Sequence, residues 1–105
     1  MFRGNIKTGS VSVKFLSDSS NIDTDLLVGS YAASGTTSGQ SEQAVASPGG
    51  FATVTLQAAK RGVIEIMVDT GHENESGRLI VTREGQPHDE GTTLGPVRWT
   101  YVVIE

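Results

Sequence analysis

The chain has no cysteine, which excludes disulfide staples, a thiolate nucleophile and cysteine-based zinc or iron–sulfur sites. It also lacks any apolar run of roughly 18 residues, the length a helix needs to cross a bilayer. Residues 1–25 lack the continuous apolar stretch of a signal peptide, so the sequence reads as a cytoplasmic chain or as a mature or excised secreted module. Positive charge is scarce. Eight Lys plus Arg stand against 12 Asp plus Glu, a formal net charge of -4, so no basic field offers itself to a phosphate backbone and nucleic acid is not an expected partner. Helical periodicity is missing too: no window repeats apolar residues at i, i+3, i+4 and i+7 over three turns.

What is present is glycine and alternation. Thirteen glycines and 36% apolar residues in 105 positions are enough for one thinly cored domain, 1–105. In Ser10–Phe15, Val11, Val13 and Phe15 share one face while Ser12 and Lys14 share the other, as a half-buried strand requires. Ala52–Ala58 repeats the pattern with Val54 and Leu56 inward. The segments 63–69 and 78–83 are rich in β-branched residues and read together as a hairpin. The strongest signal is 97–104, where Val97, Trp99, Tyr101 and Val103 face one way and Arg98, Thr100, Val102 and Ile104 the other. Weaker strands fit 2–7 and 26–32. Short strands at intervals of about 8 to 12 residues, separated by Gly, Ser and Asn, predict an all-β fold: a single antiparallel β-sandwich of about seven or eight strands, jelly-roll-like or Ig-like.

Between Leu26 and Ala59 the only charged residue is Glu42, and residues 30–50 are mostly Ser, Gly, Thr and Ala. This stretch reads as a long loop or weak strand pair, with Ser41–Ala46 the best place for a short helical turn.

Three polar groups could carry chemistry. In 18–25, Asp18, Asp23 and Asp25 place oxygen ligands as calcium loops do, and Asn21, Asp23 and Asp25 match the opening of an EF-hand, although Leu26 and Ala32 then stand where it needs Gly and a bidentate Glu. The ordinary use of such residues is a solvated Asx-rich turn. The loop 70–77 gathers His72, Glu73 and Glu75 behind Asp69, too close in sequence to define a tetrahedral site unaided, and its Asn74-Glu75-Ser76 matches a glycosylation acceptor pattern. In the third group His88 sits beside Asp89 and Glu90, so a base oriented by Asp69 or Asp89 and paired with a serine is conceivable, without a G-x-S-x-G elbow to support it.

Trp99 and Tyr101, two apart, share a face. Exposed, they would form a platform for sugar rings or a protein partner, with His72 and Glu73 as further ligand contacts; inward, they are core. The sequence therefore leads to a non-catalytic binding or interaction module for carbohydrate or protein, with a calcium ion as an added stabiliser. The alternatives are a self-assembling structural protein of a virion or surface appendage, and a small hydrolase using His88 and a Ser. A homo-oligomer is expected, because Val102 and Ile104 give the last strand a second apolar face that needs a cover.

Overall fold

A computed structural model describes residues 1–32 and 39–104. Nine strands run in chain order: β1 (Phe2–Lys7), β2 (Gly9–Ser17), β3 (Thr24–Tyr31), β4 (Gly39–Ala46), β5 (Phe51–Ala58), β6 (Val63–Asp69), β7 (Ser76–Arg83), β8 (Gln86–Leu94) and β9 (Val97–Ile104). They form a five-stranded sheet ordered β1-β9-β6-β3-β4 and a four-stranded sheet ordered β5-β2-β7-β8. The all-β sandwich is as expected, with nine strands where the sequence pattern predicts seven or eight. Every ladder is antiparallel except that between β1 and β9, which is parallel. No helix among the described residues is long and apolar enough to cross a membrane.

The core follows from alternation. From the five-stranded sheet come Ile6, Leu26, Val28, Ile64, Ile66, Val68, Trp99, Tyr101 and Val103, and they meet Val11, Val13, Phe15, Val54, Leu56, Leu79 and Val81 of the other sheet. Register reinforces the pattern, since Ile66 lies opposite Trp99 on one side and opposite Val28 on the other. Small inward residues, Ala46 on β4 and Ala52 and Ala58 on β5, let the two sheets come together along that edge. A protein interior tolerates few voids, so small side chains there set how closely the sheets approach.

Two expectations need correction. Segments 63–69 and 78–83 are not a hairpin: β6 pairs with β3 and β9, while β7 pairs with β2 and β8 in the opposite sheet. Each strand already has two partners in its own sheet, and the loop between them crosses the sandwich. Ser41–Ala46 is not a helical turn but most of β4, laddered to β3 from Thr24↔Ala46 to Tyr31↔Gly39. Of the two readings of 30–50, a long loop or a weak strand pair, the described residues bear out the strand pair: the end of β3, then β4, then a turn closed by Gly50 N–H on Ser47 O at 2.8 Å; residues 33–38 lie outside the described residues. The stretch after Gly85 is strand β8, joined to β7 by the two-residue turn Glu84-Gly85, both at positive φ as a tight hairpin requires. Glu84 is held in that conformation by its side chain, whose Oε2 accepts the Ser10 N–H at 2.6 Å.

Candidate functional site

The residues singled out in the sequence separate in space. Trp99 and Tyr101 point inward, 3% and 1% exposed, so no aromatic platform stands on β9. Their polar edges are met at the rim where β1 approaches β8. The Arg3 guanidinium lies 3.8 Å from the Trp99 ring centre and grips Asp89 with Nε to Oδ2 at 2.9 Å and Nη2 to Oδ1 at 3.0 Å. The Tyr101 hydroxyl donates to the same Oδ2 at 2.8 Å. The Arg3 hydrogen bonds hold the Asp89 carboxyl below the usual carboxylate range, against the opposing cost of its partial burial, and the Tyr101 bond adds to the lowering. Burial, then the bond to Asp89, holds the Tyr101 phenol protonated well above its ordinary range.

His72 and Glu73 are exposed on the β6–β7 loop, which is knit from beneath by the Thr70 hydroxyl: it accepts the His72 N–H at 2.9 Å and donates to the His72 carbonyl at 2.6 Å. Trp99 and Tyr101 do not share a site with them. Asp18, Asp23 and Asp25 do not converge either. Asp18 accepts from the Ser76 hydroxyl at 3.2 Å, Asp23 is exposed in the turn before β3, and Asp25 stands on β3 opposite Asp69. Among the described residues no three His, Asp or Glu are placed to hold a metal ion. His88 places Nε2 3.0 Å from the Asn5 carbonyl, which accepts its proton, and packs edge-on against Tyr101. Its ring and the Asp89 carboxylate are thus engaged with structural partners, none of them a serine.

What the sequence did not single out is the outer face of the five-stranded sheet around Gly29. Register sets a grid there. Gly29 is flanked across the ladders by Ser41 of β4 and Glu65 of β6; one row away Leu27 lies between Gln43 and Met67, and on the other side Tyr31 lies between Gly39 and Val63. With no side chain at its centre, the grid encloses a depression of about 320 Å³ whose lining includes Leu27, Tyr31, Ser41, Gln43, Glu65 and Met67, with Glu42 at its border. The Tyr31 ring fills the space above both glycines. A Cβ on Gly29 would come within 2.5 Å of its ring tip, and one on Gly39 within 2.9 Å of Tyr31 Cδ1. Glycine at these two positions is what lets the ring lie across the strands, 37% exposed. The rest of the wall is mixed: apolar from Leu27 and Met67, polar from Ser41, Gln43 and the Glu65 carboxylate.

No protein-family model, no curated protein and no solved structure matches this chain.

One signal for the depression was present in the sequence. Leu27, Gly29 and Tyr31 alternate along the predicted strand 26–32, which puts a glycine beside an aromatic on one face. Which residues flank them depends on the pairing of β3 with β4 and β6, and sequence spacing does not reveal that.

Proposed function

We propose that the chain is a non-catalytic binding module whose ligand is a carbohydrate taken at the Gly29 depression. The observation that carries this reading is the Tyr31 ring laid over Gly29 and Gly39 beside Ser41, Gln43 and Glu65. A ring supported from below presents a flat apolar surface suited to the C–H face of a pyranose. The hydroxyl, amide and carboxylate around it suit the sugar hydroxyls. The volume of 320 Å³ is at the small end of the range for ligand sites, roughly 300–1,000 Å³. One stacking ring with a few solvent-accessible hydrogen bonds supports about 4 kcal/mol of binding, a Kd near about 1 mM. Titration of isotope-labelled protein with neutral oligosaccharides tests it. Saturable amide shifts confined to 27–31, 41–43 and 65–67 are expected, and shifts elsewhere or none at all would count against the site.

A second reading, self-assembly of a structural protein, is favoured by the other half of the same face. There Val102 lies opposite Val63, Ile104 is the next outward residue on β9, and Phe2 on β1 lies opposite Thr100. Val102 and Ile104 are each 41% exposed, and an apolar group of this kind is suited to a second copy of the chain.

A further inference from the structure

We infer that the rim between β1 and β8 holds an oxyanion site, formed by Lys7 and Arg83 with His88 at its border. This does not rest on the carbohydrate reading. A cavity of about 310 Å³ opens there, lined by Asn5, Lys7, Arg83, His88 and Ile104 among others. Among the described residues none that lines it carries a carboxylate, although acidic residues outnumber basic ones in the chain as a whole. Elsewhere on β1 and β7 the cations are paired with carboxylates of β8: Arg3 with Asp89, and Arg78 with Glu90 at 2.8 Å. Lys7 and Arg83 have no carboxylate partner among the described residues.

The donors are held in place before any ligand arrives. Arg83 reaches from β7 across the sandwich to the end of β1, where its Nε donates to Thr8 O at 2.9 Å and its Nη2 to the same oxygen at 2.6 Å. A longer contact runs from Nε to Lys7 O at 3.2 Å. That leaves Nη1 without a protein partner among the described residues. His88 is fixed in the same manner, two residues upstream, by its bond to Asn5 O. Side chains of β7 and β8 thus hold the carbonyls of Asn5 on β1 and of Thr8 just beyond it, and Arg83 and Lys7 both line the one small cavity. A guanidinium is the group best matched to a planar or tetrahedral oxyanion, and a nearby ammonium adds an unscreened charge at short range. The ligand chemistry is a single oxyanion group, supplied by free phosphate or by the carboxylate of an acidic sugar.

The test is amide-shift titration of the isotope-labelled chain with inorganic phosphate, with a galacturonate disaccharide and with its neutral galactose counterpart, each to about 50 mM, where a site with a Kd of about 10 mM would be largely filled. Saturable shifts at residues 5–8 and 83–88 with phosphate or galacturonate, and none there with the neutral sugar, are expected. Phosphate alone would identify a free anion as the ligand, and galacturonate alone an acidic glycan. The deciding variant is Lys7→Gln, since the Lys7 side chain has no partner to lose among the described residues; its anion affinity should fall about fivefold with the melting temperature unchanged. Absence of saturable shifts with both anions, or equal affinity in Lys7→Gln, would overturn the assignment. Arg83→Lys, which keeps charge and loses the fork, should weaken binding as well, and an undiminished affinity there would count equally against it.

Discussion

Tyr101 and Asp89 sit in opposite sheets and are joined by a 2.8 Å hydrogen bond from the phenol to Oδ2, the atom that also accepts from Arg3 Nε. Through this one carboxylate, β8 at the edge of one sheet is tied to β1 and β9 of the other. Asp89→Asn should destabilise the fold by about 1–3 kcal/mol, because the Arg3 guanidinium keeps its place over Trp99 and loses the charge opposite it. The shift of the urea midpoint, with the slope unchanged, measures it.

The same group makes the fold acid-sensitive. Asp89 has a folded-state pKa below its unfolded value, so its contribution is fully present above the ordinary carboxylate range near about 3.9 and is lost as pH falls through the lowered folded value. The stability difference between wild type and Asp89→Asn should therefore shrink between about pH 5 and about pH 2. At the alkaline end the phenol of Tyr101 is held protonated in the fold, so stability should drop above about pH 10, where the unfolded phenol ionises. Tyr101→Phe should remove that alkaline limb. Urea titrations across the pH range read both, and a constant gap would contradict the linkage.

Two glycines should respond in opposite ways to alanine. At Gly29 the obstructing atoms are the far end of the Tyr31 ring, which is partly exposed and free to swing away. Gly29→Ala should leave stability within about 1 kcal/mol of wild type while filling the depression and abolishing sugar binding. At Gly77 a Cβ would meet the Phe15 ring at 2.4 Å and Leu16 O at 2.7 Å, and Phe15 is fully buried. Gly77→Ala should cost about 1–3 kcal/mol through overpacking. Thermal unfolding of the two variants side by side gives the comparison.

If the chain self-associates, Val102 and Ile104 should carry it. The double variant Val102→Lys/Ile104→Lys should sediment as a folded monomer, since the inward residues Tyr101 and Val103 are untouched. A wild-type chain that is already monomeric at about 100 μM would remove the self-assembly reading.

Sequence pattern revealed the strands whose inner faces are apolar throughout, such as β2 with Val11, Val13 and Phe15, and it placed Trp99 and Tyr101 on a common face. It missed β8 for a physical reason. The sequence Gln86–Leu94 buries only Thr93, because its inward positions carry Asp89, bonded to Arg3 and Tyr101, and the side-chain-less Gly91 beside Trp99, so no apolar side chain of the strand itself marks an inner face. It misread β4 because Gly39–Ala46, at the edge of its sheet, is exposed on both faces over most of its length and carries a helix-start composition in Ser41-Glu42-Gln43. Only the ladder to β3 makes it a strand. The Gly29 depression depends on the same non-local pairing, so in sequence Tyr31 is an ordinary strand residue, whereas His72, Glu73 and Asp18 stand out by residue type alone.

The account turns on Tyr31, and the most direct measurement is a glycan array probed in parallel with the wild-type chain and with Tyr31→Ala. Tyr31 is an outer-face residue, so its removal should leave the core intact. The account predicts that the wild type binds at least one class of glycan and that Tyr31→Ala, folded and equally stable, binds none of it. Equal binding by the two proteins, or no binding by the wild type, would contradict it.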